Sequence, residues 1–184
     1  IDVDVAISNT TISQLLPYFA DDKVALVAPR VKSRASTNFL GEYEVAASVL
    51  DMGESEARVC SGTRVSYVPS AMWLCRTAAL RSVSGFDESL RSGEDVDMVW
   101  RLNNAGWRCR YQPQAECSHL PRATLQQFVQ QRMSYGESAA PLAKRHTGKL
   151  APAKFNMWQA STWLLVLLGM PFIALGVAVA SSAA

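Results

Sequence analysis

Two short acidic clusters carry the residue types and spacing for chemistry. IDVDVAI sets Asp2 and Asp4 two residues apart, and GEDVDMVWRL sets Glu94, Asp95 and Asp97 within one short run. Alternation along an extended chain puts Asp2 and Asp4 on one side of a strand. At the C-terminal edge of such a strand, where open α/β sheets take ligands, both carboxylates project together. They repel one another and need a cation, and a hard divalent ion that also holds phosphate oxygens meets that need. The alternative is a pair of solvated loop acids.

The second cluster stands at a helix start. Around a helix the three acids diverge, so they cannot all face one site. Asp97 lies roughly 200° from Asp95 and reads as a surface or capping residue. Glu94 or Asp95 can point across the preceding loop toward the end of the sheet. A carboxylate held at a helix N-terminus stays ionised near neutrality, which suits a general base for a hydroxyl. Helix capping alone is the alternative. A glycoside hydrolase also uses an acid pair, but one member must be kept protonated by an apolar pocket. Adjacent acids at an exposed helix start offer no such asymmetry.

The elements that must position these acids follow from periodicity. DVDVAI and KVALVAPRV are β-rich runs on either side of the helical stretch ISQLLPYFADD, the strand–helix–strand pattern of a parallel or mixed sheet. A helix is expected over 41–52, strands at RVSYVP and AMWLCR, a short helix at TAALRSV and a loop at SGFDESLRSG. GEDVDMVWRLNNAGW is a helix that Ser92 can cap and Gly106 ends. WRCRYQPQAECSH predicts two short strands divided at Pro113, and a last helix runs over about 124–135. The fold class is α/β with a mixed sheet.

With 184 residues, 49% of them hydrophobic and 18% charged, the chain can bury one sizeable core and is not disordered. A net charge of +2 without a basic stripe excludes nucleic-acid binding. Cys60, Cys75, Cys109 and Cys117 lack zinc-like spacing with His119 or His146 and read as reduced thiols of a cytosol-facing domain. His146, in a basic linker, reads as chemically unremarkable. From 155 to 184 there is no charge, and Met157–Ala180 is long and apolar enough to predict a transmembrane helix kinked at Pro171. Arg132, Lys144, Arg145, Lys149 and Lys154 precede it, which places 1–154 on the cytoplasmic side of the cell membrane and favours anionic headgroups. Three regions are therefore expected: a sheet domain over 1–122, a helix and basic juxtamembrane linker over 123–154, and a membrane segment over 155–184. A chain that opens in mid-strand at Ile1 reads as the downstream part of a longer protein.

DVD near a strand end, followed by GFDESL, RSGEDVDMVWRL and NNAGWRCRYQP, resembles the GT-A glycosyltransferases of family 2. VALVAPRV, GTRVSYVPSAMWLCR and SYGESAAPLAKRHTGKLAP are similar to the branch of that family serving the mycofactocin system. The resemblance covers nearly the whole chain and implies a partial GT-A fold whose nucleotide-binding front half lies upstream. It implies an inverting transfer of a sugar from a nucleotide-diphospho-sugar to an acceptor hydroxyl with a divalent metal (Mg²⁺ or Mn²⁺). The acceptor would be a peptide-derived cofactor, a glycan or a lipid. Carried over residue by residue, Asp2 lies near the nucleotide sugar and Asp4 contacts both donor and metal. His119 helps hold metal or diphosphate, Asp95 is the catalytic base, and Glu94 stands beside the acceptor. The Gln-x-x-Arg-Trp element of processive membrane synthases is missing from QQFVQQRMSYG, although Arg132 and Tyr135 can still line the acceptor side. The rival reading is a non-catalytic, membrane-anchored GT-A-like fragment or interaction module.

Overall fold

A computed structural model of the chain describes residues 1–34, 39–120, 124–150 and 157–182. The chain divides into two compact units, 1–150 and 151–184.

The first unit is built on two long parallel strands, β2 (Val24–Ser33) and β5 (Arg108–His119). β2 opens with an unbroken apolar run that is buried on both faces, as a central strand requires. Its Val24, Val27 and Val31 point to one side with Leu15, Ala115 and Cys117, while Ala25, Leu26 and Ala28 face Met98, Val99, Leu102 and Tyr111 on the other. β1 (Val5–Ile7) and β3 (Ala57–Val59) pair antiparallel with different stretches of β5, and β4 (Leu74–Cys75) pairs antiparallel with β2. The sheet order is β1-β5-β2-β4, with β3 also on β5. The expected mixed α/β sheet is present.

Helices α1 (Thr11–Leu15) and α2 (Phe39–Ala47) follow the first two strands. Then α3 (Thr77–Ser82) and α4 (Glu94–Asn104) precede β5, while α5 (Leu125–Glu137) and α6 (Ala139–Arg145) follow it. α4 buries Met98, Val99, Trp100 and Leu102 against the sheet and stops at Gly106, whose φ of 86° no side chain accepts easily. Its start differs from expectation. Gly93 in the left-handed region, not Ser92, occupies the N-cap.

The region around Pro113 also differs. WRCRYQPQAECSH forms one continuous strand, β5, rather than two. Partners jump from Gln112 to Glu116 while β2 advances only from Pro29 to Arg30, leaving three extra residues on β5 (four steps against one). Two prolines without N–H groups meet there, so the ladder yields locally by a bulge instead of ending. RVSYVP is not a strand; Val65 makes only an isolated bridge to Val59, and the rest is a loop.

The expected transmembrane helix is not formed: among the described residues no helix is long and apolar enough to cross a membrane. The apolar segment folds as two helices, α7 (Met157–Leu167) and α8 (Pro171–Ser182). Gly169 at φ 74° ends α7, with its N–H on Val166 O at 3.0 Å and Met170 N–H on Leu165 O at 2.9 Å. That is a Schellman stop, and Pro171 then starts a new helix at a position where its missing N–H is harmless. Lengths of about 16 and 18 Å fall well short of a hydrocarbon core of roughly 30 Å. The ends of the expected membrane segment, and Lys154 of its basic flank, lie outside the described residues.

Candidate functional site

The first acidic pair sits in a turn, not on a strand. Val5 N–H closes on Asp2 O at 3.2 Å, so the chain bends through Val3 and Asp4 before β1 begins. The acids therefore precede a strand instead of ending one, and alternation does not align them. What aligns Asp4 is strand pairing. Val5 lies opposite His119 in the β1–β5 ladder, and Leu120 N–H reaches Asp4 O at 3.4 Å. Asp4 Oδ2 stands 3.1 Å from His119 Nε2, the imidazole buried and the carboxylate one-third exposed. Asp2 is exposed, and its backbone N–H donates to Ala71 O at 2.9 Å.

Asp95, in the first turn of α4, is partly buried. Loss of solvent pushes its carboxyl up to about 6, helped by the neighbouring Glu94 charge and opposed by backbone N–H groups of Val96 and Ser70. The Val96 N–H bond to Oδ1 is 2.7 Å. A carboxylate with that value is largely ionised at neutral pH yet basic enough to take a proton.

The 66–71 loop joins the two clusters. The Ser70 N–H is near enough to lower the Asp95 carboxyl, and Ala71 O accepts from the Asp2 N–H, so consecutive residues run between base and acidic turn. α4 fixes this loop itself, through Trp100 Nε1–H on Ser66 O at 2.8 Å. Tyr67, in the same loop, has its hydroxyl pKa raised by burial and then by the Asp95 charge and the nearby Tyr135 hydroxyl, against Arg132. Arg132 and Tyr135 of α5 are thereby electrostatic neighbours of Tyr67, and Tyr67 of Asp95. Thr124 caps α5 through Gln127 N–H at 3.3 Å, and Phe128, Arg132 and Tyr135 follow at helical spacing on one face. The Arg132 guanidinium lies 4.7 Å from the Phe128 ring centre. Phe128 in turn meets Tyr43 of α2 edge-on at 6.0 Å.

Three expectations about this region are overturned, the first being an exposed helix start without asymmetry: Asp95 is partly buried and its carboxyl is raised. Asp97 is no surface residue; it is 2% exposed and accepts from Arg101 Nε at 2.7 Å. His146 is no idle linker residue, since its Nε2 meets Asp97 Oδ1 at 2.8 Å in a buried pair. A helix turn brings Asp97 under the packed face because α6 covers that side of α4. Sequence reading also missed Tyr67, Ser70 and Ala71. The small pair in VPSAM, just ahead of a strand, was the available signal for a close backbone approach.

Among the described residues no group of three or more His, Cys, Asp or Glu is placed to hold a metal. Asp4 and His119 supply one carboxylate and one imidazole. An ion held there would need further ligands, such as diphosphate oxygens and water.

The model of the glycosyl transferase family group 2 matches residues 1–183. The chain belongs to that family. The chain is similar to proteins named pre-mycofactocin glycosyltransferase in two strains of Mycobacterium tuberculosis, CDC 1551 / Oshkosh and ATCC 25618 / H37Rv. Each is 45% identical over 170 residues, 92% of this chain and 36% of the relative. The succinoglycan biosynthesis protein ExoA of Rhizobium meliloti is 33% identical over 73 residues, 40% of this chain and 22% of its own length. The chain thus spans about a third of the length of the curated relatives that it matches along most of its length.

Proposed function

We propose that the intact protein is an inverting hexosyltransferase that moves a sugar from a nucleotide-diphospho-sugar to a hydroxyl of a pre-mycofactocin-type acceptor at the cytoplasmic face of the cell membrane. The observation that carries this reading is the partly buried Asp95 in the first turn of α4, its carboxyl raised to about 6, beside the loop whose Ala71 O holds the Asp2–Asp4 turn. Asp95 takes the proton of the acceptor hydroxyl as its oxygen bonds to the anomeric carbon. The bond from that carbon to the diphosphate oxygen breaks on the opposite side, its electron pair leaving with the diphosphate. When held by Asp4 and His119, a divalent ion (Mg²⁺ or Mn²⁺) supplies charge neutralisation for that leaving group. Asp2 approaches the nucleotide sugar, and Glu94, Arg132 and Tyr135 face the acceptor.

The names of the two mycobacterial relatives support the acceptor class. Free thiols at Cys60, Cys75, Cys109 and Cys117 support a reducing compartment. Exposed apolar side chains on α7 and α8, among them Leu164, Leu167, Phe172 and Leu175, support contact with a membrane surface.

The test incubates the intact protein with UDP-glucose, pre-mycofactocin and Mg²⁺ or Mn²⁺, reading hexose addition by mass and release of UDP. Hexose addition is expected. Asp95→Asn should lower it by about a hundredfold or more, with UDP-glucose affinity retained, and Asp4→Ala should remove the dependence on added metal. Transfer from none of UDP-, GDP- or TDP-glucose, or an Asp95→Asn variant as fast as the parent, would sink the reading.

A further inference from the structure

Asp97 stands two residues beyond Asp95 on α4, yet it faces away from the acceptor side into the protein. There it is buried and multiply held: Arg101 Nε donates to Oδ2 at 2.7 Å, His146 Nε2–H to Oδ1 at 2.8 Å, and Arg145 Nη1 lies 3.9 Å from Oδ1. The carboxylate only accepts, so His146 Nε2 carries the hydrogen. Arg101 continues to the carbonyls of Val83 and Gly85, and Arg145 to Asp87 at 2.6 Å and Ser89 at 2.9 Å. The loop ahead of α4 is thereby tied to the same centre.

A buried ion pair is a poor way to gain stability, because desolvation offsets the attraction; its better use is to fix one geometry. The surroundings fit that use. His146 closes α6 and touches Trp100 edge-on at 5.1 Å, the residue whose indole holds the 66–71 loop. At the other end of α6, Ser138 and Leu142 press on Gly93, where any Cβ would come within 2.9 Å of both. Lys149, three residues after His146, reaches Asn104 at the far end of α4. α6 and its continuation therefore grip α4 at its start, middle and end, with one buried polar contact at the centre.

We propose that Asp97 and His146 are positioning residues, a buried carboxylate–imidazole latch that sets the direction of Asp95 toward the acceptor-side helix α5, which leads directly into α6. This rests on Asp95 being the base. His146 reaches Asp97 through Nε2, so glutamine, whose amide nitrogen occupies nearly that place, preserves the latch. Asparagine, whose nitrogen stands where Nδ1 does, falls short of it.

The experiment compares His146→Gln, His146→Asn and Asp95→Asn in the intact protein, with UDP-glucose and pre-mycofactocin as probes. Amide hydrogen exchange of the first turn of α4 is measured alongside. The Gln variant should keep kcat within about threefold, while Asn lowers it about tenfold or more with KM for UDP-glucose nearly unchanged. Exchange at Glu94–Met98 should quicken in the Asn variant only. Equal kcat and exchange in both variants, a joint loss of KM and kcat, or an Asn variant that does not fold while Gln does would each overturn the latch as a positioning device. Unimpaired transfer by Asp95→Asn would instead remove the base. If the parent does not use these probes, the exchange comparison alone decides the latch.

Discussion

Asp95 loses much of its water as α4 packs onto the sheet, and nearby backbone N–H groups only partly compensate, leaving its carboxyl at about 6 against an ordinary 3.8. That single shift has two consequences with different signs. For activity, a base must be ionised, so kcat/KM should rise with pH through about 6 and stay flat above it. An acid limb centred near the ordinary carboxylate value would count against Asp95. For stability, a carboxyl whose folded value is raised contributes fully below the unfolded value and loses that contribution as pH rises through about 6. Asp95→Asn should therefore stabilise the fold at about pH 8, by something on the order of 1 to 2 kcal/mol given the solvent still reaching the group. It should gain little at about pH 4, and urea melts at the two values check the difference. A site that is less stable when ready for chemistry is the expected mark of function rather than scaffold.

At the level of elements, α4 does two jobs through one face. Val99 and Trp100 fill the core while the Trp100 indole N–H anchors Ser66, so the helix that bears the base also holds the loop that contacts it. Trp100→Phe keeps most of the packing and removes that hydrogen bond. It should cost about 1 kcal/mol in a chemical melt, with a drop in transfer rate that Val99→Ala, which anchors no loop, does not match at equal or greater destabilisation. The sequence made this helix legible, because a 3.6-residue apolar pattern, an acidic first turn and Gly106 all agree. It also revealed the acid pair, since acids ahead of an apolar face are a local signal. What it hid depends on tertiary pairing. Asp97 reads as surface until α6 is laid over it, His146 reads as linker until Trp100 is beside it, and the 66–71 loop has no periodicity of its own. The continuous β5 was concealed by Pro113, whose usual meaning as a strand end was overridden by a bulge opposite Pro29.

Across the whole molecule, the two units differ in how they treat apolar surface. Residues 1–150 bury two clusters of apolar side chains on opposite faces of the sheet. The pair α7–α8 leaves Trp163, Leu167, Phe172 and Ile173 more than half exposed, on helices too short to span a bilayer. Hydropathy summed along Met157–Ala180 suggested a spanning helix because the sum ignores Gly169, whose left-handed backbone divides the run. Short apolar helices can bind by the apolar area they insert into the headgroup boundary, and Lys144 upstream would favour anionic lipid. The intact protein should therefore sediment with phosphatidylglycerol-containing vesicles more than with phosphatidylcholine alone, and added salt should weaken this preference. Leu167→Glu with Phe172→Glu should release it from both vesicle types while leaving transfer to a soluble acceptor unchanged. Sedimentation that survives the double substitution would assign membrane contact to another part of the protein.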